Sequence, residues 1–480
     1  MKSSQILLVF FGIVFGFSVA FLGKFGDGGS GHSPALRVPA SSTNSENILE
    51  VDQKIKSMKS VQDVKDVIAF TQKLSSENPD DKALKIYSGL LKAFKWTESS
   101  VYKYNSDSKN LSSSGIWGTA ILRKIHSNGY RAGSHLGPVF DYILGKSGEK
   151  KKKWKHFSEF QNYYLNTSKA QVDDAIKTIE EAIADYQSDE NLNKTVFTFD
   201  IALVVGDEKA QNLLNAQNRY LAVTVEHVRW LLADLYRYQG NMVYLSSYDF
   251  DGLSQISSKF KKKYGVRAVV DKIFKTHYSE VPYNRDFYKE IHKSKYKNLF
   301  TLRNVKIDGK DPLVVSKEYF QKSVDYRIVA IKGLEVQKEF SAENKYIISP
   351  NLMLKGAFTS KGSLEKRRRI LSSNKSELYN DPIFSQAFEV NMAEVFNSHN
   401  PAIRDLKKLM PKYESFQRNV GKKGDWPKYF HGDAPSSLPD LTLGGVIPAA
   451  KSMGDIRKAL EILSHDSALP MLSFWLDLFI

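Results

Sequence analysis

The chain opens on an uncharged apolar run and then settles into helical periodicity. Lys2 precedes Ser3 to Gly23, a stretch dense in Ile6, Leu7, Leu8, Val9, Phe10, Phe11, Ile13, Val14, Phe15 and Phe17. At about 1.5 Å of rise per residue, roughly 20 such residues cross a hydrocarbon core of about 30 Å. A membrane-spanning helix is therefore expected within residues 1–24. Ser18-Val19-Ala20 supplies the small residues that a signal peptidase reads, so a removed signal peptide is the alternative. The run exceeds the roughly 7–15 apolar residues of a signal core, which favours a retained anchor. Residues 25–47, rich in Gly, Ser and Pro, bury too little to fix their backbone and read as a flexible tether.

Beyond the tether the apolar spacing is mostly that of helices. Val61, Val64, Val67, Ile68 and Phe70 form one stripe, and Asn78-Pro79-Asp80-Asp81 stops it before a second at Ala83, Leu84, Ile86, Tyr87, Leu90 and Leu91. The clearest amphipathic helix spans about 170–186, with Val172, Ile176, Ile179, Ile183 and Tyr186 on one side and Asp173, Asp174, Glu180 and Glu181 expected to face away. A longer helix is predicted over about 210–238, where Leu214, Leu221, Val228 and Leu235 recur every seven residues, the stripe of a bundle or a coiled-coil seam. Val266, Val269, Val270, Ile273 and Phe274 mark a further helix beyond Asp251, and Phe320, Val324, Ile328, Ile331 and Leu334 another. Strand signals are few: Thr195 to Phe199, and a hairpin from Leu299–Ile307 through Asp308-Gly309 to Leu313–Val315. The fold class expected is mainly α. It is a multi-helix bundle or irregular helical-repeat-like body with minor β-hairpin additions, preceded by the N-terminal membrane-spanning helix. Two units are expected, a helical domain over 48–300 and a second, mixed, mostly helical one over 301–480 with an irregular C-terminal region.

Composition narrows the chemistry. The 480 residues are 42% hydrophobic, 25% charged and 12% aromatic, which excludes a disordered polymer and a polytopic membrane protein. Cysteine is absent, so thiolate metal sites, redox pairs and cysteine nucleophiles are excluded. No histidine pair has metal-ligand spacing on a helix, and neither a metal nor a cofactor is expected. His126 and His135 share a polar, glycine-containing stretch, and His431 stands beside Asp433. Imidazole titrates near neutral pH, so these four residues are the candidate polar site of an enzyme alternative, an envelope hydrolase. No nucleophile elbow or phosphate loop accompanies them. Ser-x-x-Lys recurs at Ser294, Ser363 and Ser372, as a Ser- and Lys-rich chain produces by chance.

The balance of 69 Lys+Arg against 53 Asp+Glu gives a net charge of +16, and the cations are clustered. Lys150, Lys151, Lys152, Lys153, Trp154 and Lys155 form one group, Lys259, Lys261, Lys262 and Lys263 a second, and Lys366, Arg367, Arg368 and Arg369 a third. Such groups neutralise phosphates and carboxylates, and neighbouring aromatics add stacking faces. Export would separate them from nucleic acid, which is disfavoured as a partner. The expectation is a membrane-tethered cell-envelope protein, its body on the periplasmic or extracellular side, or secreted if the segment is cleaved. It would act as a binding or scaffolding module on anionic envelope polymers, lipid headgroups or other envelope proteins.

Overall fold

The computed structural model describes residues 44–95, 156–186, 195–200, 202–205, 220–264, 284–340, 361–381, 386–418 and 433–465, with single positions at 135, 138, 139 and 207. The expected membrane helix, most of the tether and the helix after residue 265 lie outside these residues. Among the described residues no helix is long and apolar enough to cross a membrane.

The body begins with α1 (Glu46–Ser57), α2 (Val61–Glu77) and α3 (Lys82–Lys95). Each start has a chemical cause. Ser45 caps α1 by accepting from the Ile48 N–H, and Ser60 and Asp63 form a reciprocal capping box on α2. Asp81 accepts the Leu84 N–H at 2.9 Å, so the Asn-Pro-Asp-Asp segment turns the chain as its sequence predicts. Helix α4 (Phe157–Tyr163) runs through a π-helical turn (Tyr164–Ser168) into α5 (Lys169–Ile183). The predicted stripe is buried from Val172 to Ile183, while Tyr186 falls in a 3-10 turn beyond α5 and is only partly buried. Helix α3 approaches the stripe closely at Gly89, where a Cβ would fall 2.5 Å from Ile179 Cγ1.

Strand β1 (Thr195–Asp200) leads to a short α6 (Ala202–Val205) and pairs antiparallel with β2 (Tyr220–Thr224). The predicted helix over 210–238 is thus corrected. Leu221 pairs with Phe199 in the ladder, and α7 (Val225–Ser246) starts only where the Thr224 N–H donates to His227 Nδ1 at 3.0 Å. A heptad spacing cannot distinguish a helical turn from the strand that precedes it.

Helices α8 (Leu253–Tyr264) and α9 (Asn284–Ile291) follow, and then α10 (Pro312–Phe340) returns along α7. The predicted hairpin before α10 shrinks to its turn. Ile307 and Lys310 exchange backbone hydrogen bonds across Asp308 and Gly309, both at positive φ, and the Asp311 carboxylate then takes the Leu313 N–H at 2.8 Å and starts a helix. The chain continues through α11 (Lys361–Ser372), the β3 (Glu377–Asp381) and β4 (Gln386–Val390) hairpin, α12 (Met392–Val395) and α13 (Pro401–Arg404). It closes with β5 (Phe416–Arg418) paired to β6 (Asp433–Pro435), and with α14 (Met453–His465). The architecture is mainly α, with three two-stranded sheets among the described residues.

Helix α7 is the axis. All of its residues except Trp230 and Leu245 are buried, so it is enclosed on every side. Antiparallel α10 lies against it closely enough that a Cβ on Gly333 would fall 2.2 Å from Glu226 Cγ. Ser316 and Ser323 donate to the Gly240 and Ala233 carbonyls at 2.8 and 2.6 Å. One core gathers residues from Ile48 to Val243 together with Ile307 and Val315, the other gathers residues from Tyr244 to Leu463, and the two meet along this pair. The polar side of α5 is also partly an interface. Tyr236 and Tyr326 donate to Glu180 at 2.6 and 2.7 Å, and Tyr319 and Gln239 donate to Asp173 at 2.8 Å each, leaving Asp174 and Glu181 to solvent.

Candidate anion-binding surface

Tyr288 and Ile291 of α9 point into the second core, which carries the intervening Glu290 into near-complete burial. An unpaired carboxylate there would be costly. Three lysines resolve it: Lys259 of α8 lies 2.5 Å from Glu290 Oε2, Lys293 2.7 Å from the same oxygen and Lys295 3.4 Å from Oε1. Burial works against the charged form, but the hydrogen bonds from Lys259 and Lys293 outweigh it and bring the Glu290 carboxyl down to about 2. Three cations thus meet one anion, and each lysine side chain stays 46–57% exposed. The surplus of positive charge faces water.

The surplus extends along both helices. Four residues away on each, in opposite directions, Lys263 pairs with Asp286, while Lys262 is exposed beside it. Exposed Lys289 lies over the Tyr413 ring at 4.6 Å, and Lys295 over Tyr296 at 4.5 Å. Lys407 donates to the Tyr296 carbonyl at 3.1 Å, which pins the turn carrying Lys295 and Lys297. The arrangement can offer several ammonium donors to phosphate or carboxylate groups spaced along a polymer or a surface.

The structure separates the sequence candidates. Lys262 and Lys263 belong to this face, and Lys261 stands on α8 between Phe260 and Lys262. Lys151, Lys152, Lys153, Trp154 and Lys155 lie outside the described residues, as do His126 and His431. The arginine cluster divides. Arg367 is 2% exposed and belongs to the interior, whereas Arg368 pairs with Asp325 at 2.7 Å and Arg369 with Glu377 at 3.2 Å. Asp433 is placed on β6, opposite Arg418. His135 is held between the Asp207 carboxylate, 2.8 Å from Nε2, and the Lys56 carbonyl, 3.3 Å from Nδ1.

Lys289, Lys293, Lys295, Lys407 and the organising Glu290 were not singled out from sequence, whereas Lys259 belongs to the second predicted cluster. A signal is there in Lys289-Glu290-Ile291-His292-Lys293-Ser294-Lys295-Tyr296-Lys297, where four lysines surround a single acid within nine residues. Its meaning depends on α8 lying alongside, which no local pattern states. Among the described residues no group of three or more His, Asp or Glu could hold a metal ion. No family model, curated protein or solved structure matches the chain.

Proposed function

We propose that the protein is an anion-binding module of the cell envelope, tethered to the membrane by its apolar N-terminal segment and engaging anionic polymers or lipid headgroups through the α8/α9 face. The observation that carries this reading is the convergence of Lys259, Lys293 and Lys295 on one Glu290, which leaves a surplus of two positive charges at an exposed site. Binding or scaffolding fits better than hydrolysis. Both ring nitrogens of His135 already hold partners, the Asp207 carboxylate and the Lys56 carbonyl, and among the described residues neither partner is a hydroxyl nucleophile. The apolar run from Ser3 to Gly23 supports the membrane tether and a body outside the cytoplasm.

The test uses the full chain inserted into phosphatidylcholine vesicles through its apolar segment and measures capture of a second set of vesicles, of pure phosphatidylcholine or of phosphatidylcholine mixed with phosphatidylglycerol, together with binding of soluble polyphosphate. Retention on the anionic vesicles or on the polyphosphate should weaken steeply as salt rises and should drop when Lys259, Lys293 and Lys295 become alanine. Equal binding to neutral and anionic targets, or binding unaffected by the triple substitution, would overturn the proposal. Protease accessibility of the body in intact cells and in spheroplasts tests the side of the membrane.

A further inference from the structure

The first helix of the body is held by ionisable groups that a packed interior usually avoids. Asp52, in the middle of α1, is 4% exposed, and Asp200, where β1 ends, is 1% exposed. Lys56, one turn along α1 from Asp52, gives its ammonium to Asp200 at 2.6 Å. Asp200 is further fixed by the Ala202 N–H at 3.0 Å. Asp52 is left with the Tyr87 hydroxyl of α3, which donates to it at 3.2 Å. The charged or titratable groups acting on Asp52 are Tyr87, Asp200 and Lys56. The buried side chains of α2, on its other flank, are Val64, Val67, Ile68, Thr71 and Ser75, which carry no charge.

We propose that Asp52 is a proton-operated latch on α1: protonated, it seats the helix against α3 and the end of β1, and ionised, it sets a second buried negative charge beside Asp200 with one ammonium between them. Burial is the largest influence on Asp52. Tyr87 and Lys56 favour its ionised form, Asp200 opposes it, and the balance raises the carboxyl to about 7. In an unfolded chain the same group ionises near 4, so the folded state holds a proton that the unfolded state lacks in the window between. The stabilisation this proton brings is present in full at low pH. It is lost as pH rises through the folded value, and α1 is the element that carries the loss. Because α1 begins at Glu46, at the end of the expected tether, its release would lengthen the segment between the chain start and the body. This goes beyond the anion-binding reading and rests on different residues.

Hydrogen–deuterium exchange on the full chain, corrected for intrinsic rates, tests the latch at pH 6 and pH 8.5. Peptides covering residues 46–57 should lose protection about tenfold at the higher pH, while peptides from α14 keep theirs. Asp52→Asn should abolish the difference. Equal protection of α1 at both pH values, or a difference that persists in Asp52→Asn, overturns the proposal. Should Asp52→Asn fail to fold, Tyr87→Phe gives a second reading. Removing a donor that favours the charged form should move the transition to higher pH, and an unmoved or lowered midpoint counts against the latch.

Discussion

Two regions of the molecule gather charge and use it in opposite ways. Along the α7/α10 seam, Asp234 is 7% exposed and lies between Arg237, at 3.0 Å, and Arg327. Arg327 also sits over the Trp230 ring at 4.8 Å, and burial lowers the Arg237 guanidinium to about 10. On the α8/α9 face one carboxylate instead gathers three exposed lysines. In the seam, low-dielectric surroundings make every unmatched charge expensive, so the ions are knitted to one another and specify how the helices fit. At the face, water screens the surplus, which costs little and stays available to a partner. Both clusters carry surplus positive charge, and what separates them is exposure to water.

Four substitutions sharpen or break that contrast, the largest effect first. Asp234→Ala should destabilise the fold by about 3–5 kcal/mol in denaturant unfolding, because a buried carboxylate that bonds two arginines would be lost. An effect below about 1 kcal/mol would remove the distinction between seam and face. Replacing Lys259, Lys293 and Lys295 together by alanine should weaken binding to anionic vesicles roughly a hundredfold, at about 1 kcal/mol per cation. Gly333→Ala should cost about 1–3 kcal/mol, since the new methyl meets the buried Glu226 side chain; unchanged thermal stability would show that α7 and α10 can separate without penalty. Glu290→Gln should tighten anion binding by about fivefold, as removing one negative charge is worth on the order of 1 kcal/mol. Weaker binding would show that Glu290 places the lysines more than it opposes them.

The contrast also predicts a pH response. The folded Glu290 carboxyl lies well below its ordinary value, so its contribution to stability is present above the unfolded value near 4.5 and is lost as pH falls through about 2. Acid titration of unfolding should show this loss in the native chain and lack it in Glu290→Gln.

The helical class, the α2–α3 hairpin and the buried stripe of α5 were legible because their information is local: a 3.6-residue period, caps and a proline-containing turn. What escaped was long-range. The start of α7 depended on β2 finding β1, more than twenty residues earlier, so an apolar heptad crossing Leu221 read as helix. Asp173 and Glu180 looked solvated because the tyrosines that bond them come from α7 and α10. The arginine triplet at 367–369 shows the same limit: consecutive helical residues point about 100° apart, so one was carried into the core and two stayed at acidic neighbours. Among the basic candidates, Lys259, Lys262 and Lys263 are found on the face, and the acids that Lys259 and Lys263 pair with, Glu290 and Asp286, are distant in sequence.

Helix α10 is 29 residues long, about 43 Å of rod, and its described side chains lie in both cores. A fragment ending near residue 300 would keep α7 and lose this rod, stripping the cover from a helix whose Leu232, Leu235 and Val243 are almost wholly excluded from water. Such a fragment should aggregate rather than fold, and useful dissection of the protein should retain the chain through at least Leu334.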